Sequence, residues 1–454
     1  MKTQSRRSLA AALAVLVFMG DSGFALQTAT IGVGKIKDLS IRMYGFVETD
    51  VIADTTAGFT EEMDSNLVPM RTAAGGGGSN FSGQTHRTEM SIRNSRLGFA
   101  LGLPKSGGLS AKAVLELDFM GNNAPNTAPG SAPGAQSERD FFNNPAVRVR
   151  HAYLDLDYDG LDGKIGQYWS LLGWQPYYFP GEAVLLPSPA MLYRRFAQVR
   201  AAYAFKPAEG WTLQAAADLA KPAQMNSGSP EPHAGLRLAS TKTLAASVSG
   251  SGTSMVGLSL AASGALIPLH TQSIGSPTGS VYALDFAVPL IASRDGVDRS
   301  NNLIWMGEFV AGQGLGGLEM AGLTFGVPGI SAATPNAGSA IDSGIAGLNL
   351  DGNAELIQSR SWRTHLQYCL PGGKWAVSAG YAQAEARNLD RFSTAKLAPT
   401  LAPKIQFGYL SAFYDPVDWL RFAAEINQNR TTYNDAANRF AVNNRYQFTT
   451  FFLF

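Results

Sequence analysis

Asn444-Arg445-Tyr446-Gln447-Phe448-Thr449-Thr450-Phe451-Phe452-Leu453-Phe454 are the last residues of the chain, and their reading decides the fold. Tyr446, Phe448, Phe452 and Phe454 fall at alternate positions, with Thr450 between them. Side chains of an extended backbone alternate between two faces, so these four rings share one face of a strand. Two settings suit such a face. It is an ordinary core strand of a soluble protein, or it faces lipid as the last strand of a closed sheet that pairs with the first strand, near residues 39–53.

The same period of two runs through the chain. In Lys112-Ala113-Val114-Leu115-Glu116-Leu117-Asp118-Phe119, the residues Leu115, Leu117 and Phe119 oppose Lys112, Glu116 and Asp118. Val199, Tyr203 and Phe205 oppose Gln198 and Arg200; Trp211, Leu213, Ala215, Ala217 and Leu219 oppose Thr212, Gln214 and Asp218. Similar segments lie near 39–53, 88–103, 146–158, 163–171, 233–249, 254–266, 280–290, 302–314, 357–370, 374–385, 404–414, 419–429 and 443–454, about sixteen in all with those above. Their connections alternate in length. Asp159-Gly160-Leu161-Asp162, Leu370-Pro371-Gly372-Gly373 and Tyr414-Asp415-Pro416-Val417-Asp418 are short turns, whereas 55–86, 120–145, 172–195 and 322–356 are long and polar.

Bulk composition narrows the choice between core and lipid. Lys and Arg number 36 against 35 Asp and Glu, which gives no global basic field for nucleic acid. Charged residues make up only 16 % of the chain while hydrophobic residues stand at an ordinary 45 %, and there are 49 glycines. A chain with an uncharged outer surface and inward polar residues has this profile. Cys369 is the single cysteine, so neither an intrachain disulfide nor a thiolate metal cluster is available, and it reads as a small apolar strand residue.

Residues 1–25 read as a secretory signal peptide, with Lys2, Arg6 and Arg7 before the apolar run Leu9–Met19 and small residues before a cleavage point after Ala25. Arg6-Arg7 resembles a twin-arginine motif, a route for folded cofactor proteins, and is read instead as an ordinary positive n-region. After Met19 no apolar run reaches the length of a membrane-spanning helix. A β-sandwich or propeller also alternates. No 40–50-residue blade repeat is visible, however, and Trp169, Trp174, Tyr177, Tyr178, Trp375, Tyr409 and Trp419 sit near strand ends, where a lipid-headgroup girdle would need them. The expectation is therefore all-β: a transmembrane antiparallel up-and-down β-barrel of about 16 strands over 39–454, preceded by the signal peptide and a short segment, 26–38.

The aromatic C-terminal strand resembles the signal by which bacterial outer-membrane barrels are recognised for assembly, carried here by Phe454, Phe452, Phe448 and Tyr446. Arg93-Asn94-Ser95-Arg96-Leu97-Gly98-Phe99, Leu115–Phe119, Arg148-Val149-Arg150-His151-Ala152-Tyr153 and Gly166-Gln167-Tyr168-Trp169-Ser170 resemble the trimeric general-porin superfamily of Gram-negative outer membranes, nearest to DcaP-like porins. The resemblance spans most of 39–454 and is firmest between 90 and 175. It implies a homotrimer embedded among outer-membrane lipid and lipopolysaccharide, a loop folded into each pore, and passive uptake of small anionic solutes, dicarboxylates among them. It implies neither cofactor nor catalysis. Some DcaP-like members carry an N-terminal coiled coil; here only Leu26–Lys37 precede the first strand, without heptads.

A porin works through a water-filled constriction whose charges set selectivity, with rings of Arg and Lys favouring anions. A mid-strand charge points inward because facing lipid would cost about 2–4 kcal/mol for Arg or Lys at the midplane. The expected pore-lining residues are Arg148 and Arg150 first, then Arg96, Arg42, Arg93, Lys112, Arg200 and Arg363, with Glu48, Asp50, Glu116, Asp118 and Glu425 as acidic counterparts. These arginines either face carboxylates across the lumen or pair with acidic neighbours and brace the wall. The apolar parity flips between Arg150 and Asp155, which points to a β-bulge. Loop 120–145, after the third strand, is the candidate constriction loop; a plain surface loop is the alternative.

Other motifs lead elsewhere only weakly. Gly312-Gln313-Gly314-Leu315-Gly316-Gly317 matches a dinucleotide fingerprint but no helix follows, and Gly75–Gly78 lacks a phosphate-loop lysine. The histidines have no metal-ligand spacing and no Gly-x-Ser-x-Gly elbow occurs, so a barrel enzyme remains a distant alternative.

Overall fold

Alternating apolar and polar residues over runs this long leave the backbone one economical solution, a strand whose two faces meet different media. The computed structural model describes residues 29–33, 36–57, 67–73, 79–121, 146–182, 189–222, 224, 227–316, 320, 323–392, 399–436 and 439–454. The expected signal peptide and nearly all of loop 120–145 lie outside them.

In chain order the strands are β1 (Ala29–Val33), β2 (Ile36–Asp54), β3 (Arg87–Ser91), β4 (Arg96–Ser106), β5 (Leu109–Gly121), β6 (Ala146–Tyr158) and β7 (Leu161–Trp169). They continue as β8 (Arg195–Phe205), β9 (Trp211–Ala220), β10 (Glu231–Ser249), β11 (Gly252–Pro268), β12 (Thr278–Ile291) and β13 (Leu303–Gln313). The last are β14 (Ala346–Leu348), β15 (Ala354–Leu356), β16 (Gln358–Cys369), β17 (Trp375–Ala386), β18 (Lys404–Val417), β19 (Leu420–Thr432) and β20 (Phe440–Leu453). β14 and β15 form a separate hairpin. β3 and β4 both pair with β2, so they make one stave broken at 92–95. β1 lies in the short segment, 26–38, expected ahead of the barrel, and pairs with the start of β2. Each remaining strand runs antiparallel to the next, and β20 returns to β2 in the register Phe46↔Leu453 to Asp54↔Arg445, which closes a ring of sixteen staves. Gly45 and Phe454 exchange both backbone hydrogen bonds, at 2.8 and 3.0 Å, and fasten the chain end to that seam.

The faces are inverted relative to a soluble protein. Met43, Val47, Leu115, Leu154, Val199, Leu260, Leu284, Leu410, Ile426 and Phe448 are exposed on the outside, whereas Asp50, Asp118, Arg150, Asp285, Arg445 and Thr449 are buried on the inside. Lipid is the medium in which a continuous apolar outer surface costs nothing, and a closed ring has no unpaired edge to present to it. Of the four aromatics expected on one lipid-facing side, Tyr446, Phe448 and Phe452 are exposed outward, whereas Phe454, beyond the end of β20, lines a cavity within the barrel. Short turns close one end, as at Asp159 (φ 55°) and Gly160 (φ 85°), whose left-handed pair matches the twist of β6 and β7. In the turn 292–302 the amides of Val297 and Asp298 donate to Asp295 at 2.9 and 2.8 Å and hold its carboxyl below the usual range.

The inner wall is not polar throughout. At the long-loop end, Ile267, Val281, Val310, Ile405 and Phe407 point inward and are buried against Phe325, Val327, Ile330, Ile341 and Ile345 of the segment between β13 and β14. That connection folds into the mouth and brings its own apolar core, which is why these inward positions are hydrophobic.

Candidate functional site

Between β7 and β8 the chain does not stay on the surface. Gly173, at φ 71°, donates from its amide to Ser263 Oγ at 2.9 Å; Trp174 Nε1 donates to the Ala262 carbonyl at 3.1 Å; Tyr178 Oη meets Ser259 Oγ at 3.1 Å. These partners sit on β11, three staves beyond β8. Further across, Leu192 N donates to Glu308 Oε1 on β13 at 3.4 Å, and Arg363 on β16 donates to the Tyr178 carbonyl. The described parts of this connection, 170–182 and 189–194, are therefore laid across the lumen. Its apolar residues Leu171, Trp174 and Tyr178 pack on the inward Ala216, Ala261, Ala287, Ile304 and Met306.

This placement corrects the expected girdle. Trp169, Trp174 and Tyr178 are buried inside the barrel, and Tyr177 lies 4.2 Å from the Arg237 guanidinium. Tyr409 is also buried on the inner face of β18. Trp375 and Trp419 do face outward, stacked on Tyr414 and set against Phe452. A ring next to a strand end looks the same in sequence whether the chain then crosses the rim or turns inward.

A cavity of about 420 Å³ remains between this segment and the wall of β2, β4, β5, β6 and β7. Arg42, Tyr44 and Phe46 enter it from β2, Arg96 from β4, Glu116 from β5, His151 from β6 and Trp169 from β7. Pro176, Phe179, Glu182, Met191 and Tyr193 enter from the inward segment, and Ser249, Ser251, Leu453 and Phe454 complete the lining.

The expected charged residues divide into two groups. Arg42, Arg96, Glu116, Asp118, Arg148 and Arg150 come together at or directly behind the cavity. Arg150 donates from Nε to Glu116 Oε1 at 2.8 Å, from Nη1 to Asp118 Oδ2 at 2.8 Å and from Nη2 to Tyr193 Oη at 3.3 Å. Arg148 grips both oxygens of Asp118, at 3.0 and 2.8 Å. Arg96 lies over the Phe46 ring at 5.1 Å. Arg42 is exposed to the cavity and makes no hydrogen bond or ion pair among the described residues. The expected bulge is present: Glu116 pairs with His151 and Leu117 with Val149, so Arg150 is the extra residue. Gln167 Nε2 stitches it by donating to the carbonyls of Val149 and Arg150 at 2.8 and 3.0 Å. Beyond the bulge, Tyr153 and Asp155 point inward.

The second group stands apart from the cavity. Arg93, in the break between β3 and β4, donates to the carbonyls of Phe119 and Gly121. Lys112 pairs with Asp155 at 2.8 Å, Arg200 with Asp218 at 3.1 Å and Arg363 with Glu308 at 3.2 Å. Glu48 accepts from Asn94 at 2.9 Å, Asp50 from Thr449 at 2.7 Å and Glu425 from Ser411 at 2.7 Å. These are lateral pairs between neighbouring staves or their breaks, not a ladder facing carboxylates across open water. Sequence reasoning missed Tyr193 and Arg195, whose guanidinium lies 4.7 Å from the Trp169 ring and 5.1 Å from the Tyr193 ring. The run Tyr193-Arg194-Arg195 at the start of β8 was the available signal.

No protein-family model and no curated protein matches the chain. Among solved structures, the outer-membrane channel DcaP of Acinetobacter baumannii matches at 16 % identity over 92 % of this chain and 97 % of that one, with a TM-score of 0.57. The fold is that of an outer-membrane porin. An anion-selective porin from Comamonas acidovorans and OprB from Pseudomonas putida match at 11 % identity with a TM-score of 0.50 each. They cover 92 % and 90 % of this chain, and 100 % and 94 % of their own. At such identities the porin fold is what is shared, and the site must speak through its own residues.

Proposed function

We propose that this chain forms a passive outer-membrane channel for small hydrophilic anions, the dicarboxylate-like class implied by its sequence resemblance included. One observation carries the reading. A segment folded across the lumen narrows the barrel beside a cavity into which Arg42 projects without a partner among the described residues, backed by Arg96, Arg148, Arg150 and Arg195. Glu116 and Asp118, the acids of the same wall, are already gripped by arginines, so the unspent charge at that wall is positive. The outward rings of β20 support recognition of the last strand by the outer-membrane assembly machinery, and a homotrimer follows from the resemblance.

Planar-bilayer recording tests this. Purified protein should give discrete conductance steps, in threes for a trimer, and a reversal potential under a KCl gradient that favours chloride. Arg42→Glu combined with Arg96→Glu should move that potential toward potassium. A cation-preferring wild type would refute the anion reading, and a potential near zero would favour a channel without charge preference.

A further inference from the structure

The cavity lining is more aromatic than a path for hydrated ions requires. Besides His151, six aromatic rings line it: Tyr44, Phe46, Trp169, Phe179, Tyr193 and Phe454. Three of them form one wall. Trp169 meets Phe179 edge-on with centroids 4.9 Å apart, Trp169 meets Tyr193 at 4.9 Å, and Phe179 stacks on Tyr193 at 5.5 Å. Elsewhere in the lining the Tyr44 ring lies over Gly98: a Cβ at that glycine would sit 2.3 Å from the ring's Cζ. Glycine is the residue that leaves this ring its place, so its position in the lining is built into the β2–β4 pairing. Arg42 is two positions along the same strand face from Tyr44, about 7 Å away along β2.

Small hydrated anions gain nothing from aromatic surface, which cannot replace their water. A solute with a carboxylate at one end and a flat ring at the other satisfies both halves of the lining. The carboxylate meets a guanidinium and the ring lies among rings. An acid on the facing side limits the charge. Glu182 enters the lining from the inward segment, so a second carboxylate on the solute would approach like charge there.

Building on the channel reading above, we infer that this cavity is a binding site for aromatic monocarboxylates of about the size of benzoate, which the channel takes in preference to aliphatic mono- and dicarboxylates.

The test is block of single-channel chloride current by added benzoate, cyclohexanecarboxylate, succinate and benzylammonium. Cyclohexanecarboxylate matches benzoate in charge and bulk but has no π-face. Benzoate should half-block at a concentration about tenfold below the other two acids, and benzylammonium should be weaker still. Trp169→Leu, and separately Tyr44→Leu, should each shrink the benzoate advantage, with folding of each variant read from heat-dependent electrophoretic mobility. Equal half-blocking concentrations for the three acids, or stronger block by benzylammonium, would overturn the inference while leaving the channel reading intact. A folded wild type that carries no current would instead overturn the channel reading.

Discussion

Arg150 is sealed inside the wall, its side chain fully buried with its guanidinium shared between Glu116, Asp118 and Tyr193. Its face was legible, because Val147 and Val149 alternate with Arg148 and Arg150 and a charge avoids lipid. Its partners were not, because they depend on the register of β6 against β5 and on a bulge that sets Glu116 opposite His151. Removing one member of such a buried group strands the others, which costs about 3–5 kcal/mol. Arg150→Ala should therefore lower the urea midpoint of the refolded barrel by a corresponding amount. Arg150→Lys should recover only part of it, since an ammonium lacks the planar fork that serves two carboxylates. Arg42→Ala removes a cation with no hydrogen bond or ion pair among the described residues and should leave the midpoint nearly unchanged. Equal midpoints for Arg150→Ala and wild type would show that the buried group does not brace the wall.

The strands were the most readable elements. All sixteen alternating segments correspond to staves, with ends displaced by a few residues, and the only broken one, 88–103, is interrupted at 92–95 where Arg93 turns toward β5. The inward loop was less readable. Loop 120–145 reads equally as a constriction loop or a plain surface loop, and its residues 122–145 lie outside the described part of the chain, whereas 170–182 and 189–194 cross the lumen. Its composition held the signal: Leu171, Leu172, Trp174, Tyr177, Tyr178 and Phe179 are too apolar for a water-washed surface loop. The long segment after β13 misled in the opposite way. It reads as polar, yet its scattered Ile and Phe residues assemble a core only once they meet Ile267, Val281 and Phe407 on the wall. Replacing 171–192 by a short Gly-Ser turn should widen the path, raise single-channel conductance and weaken ion discrimination, with strand content by circular dichroism unchanged. A folded deletion variant with wild-type conductance would place the constriction elsewhere.

At the scale of the whole molecule, a low charge fraction, long period-two runs and alternating short and long connections all pointed to a closed sheet between two media, and the ring from β2 to β20 bears this out. Composition could not tell that the interior is divided. Apolar loop packing occupies the side nearer β11–β13 and β17–β18, and the cavity lies against β2–β7. The claim beneath every functional statement is that adjacent residues of one strand meet lipid and water respectively. Arg42 and Met43 on β2 offer the most direct measurement, both being exposed and on opposite faces. Single cysteines at these positions, with Cys369 replaced by serine, should separate completely in lipid vesicles. Arg42→Cys should react with a charged, water-soluble thiol reagent, and a bimane attached at Met43→Cys should be quenched by brominated acyl chains. Aqueous labelling at position 43 together with lipid quenching at position 42 would contradict the inverted barrel and the channel built on it.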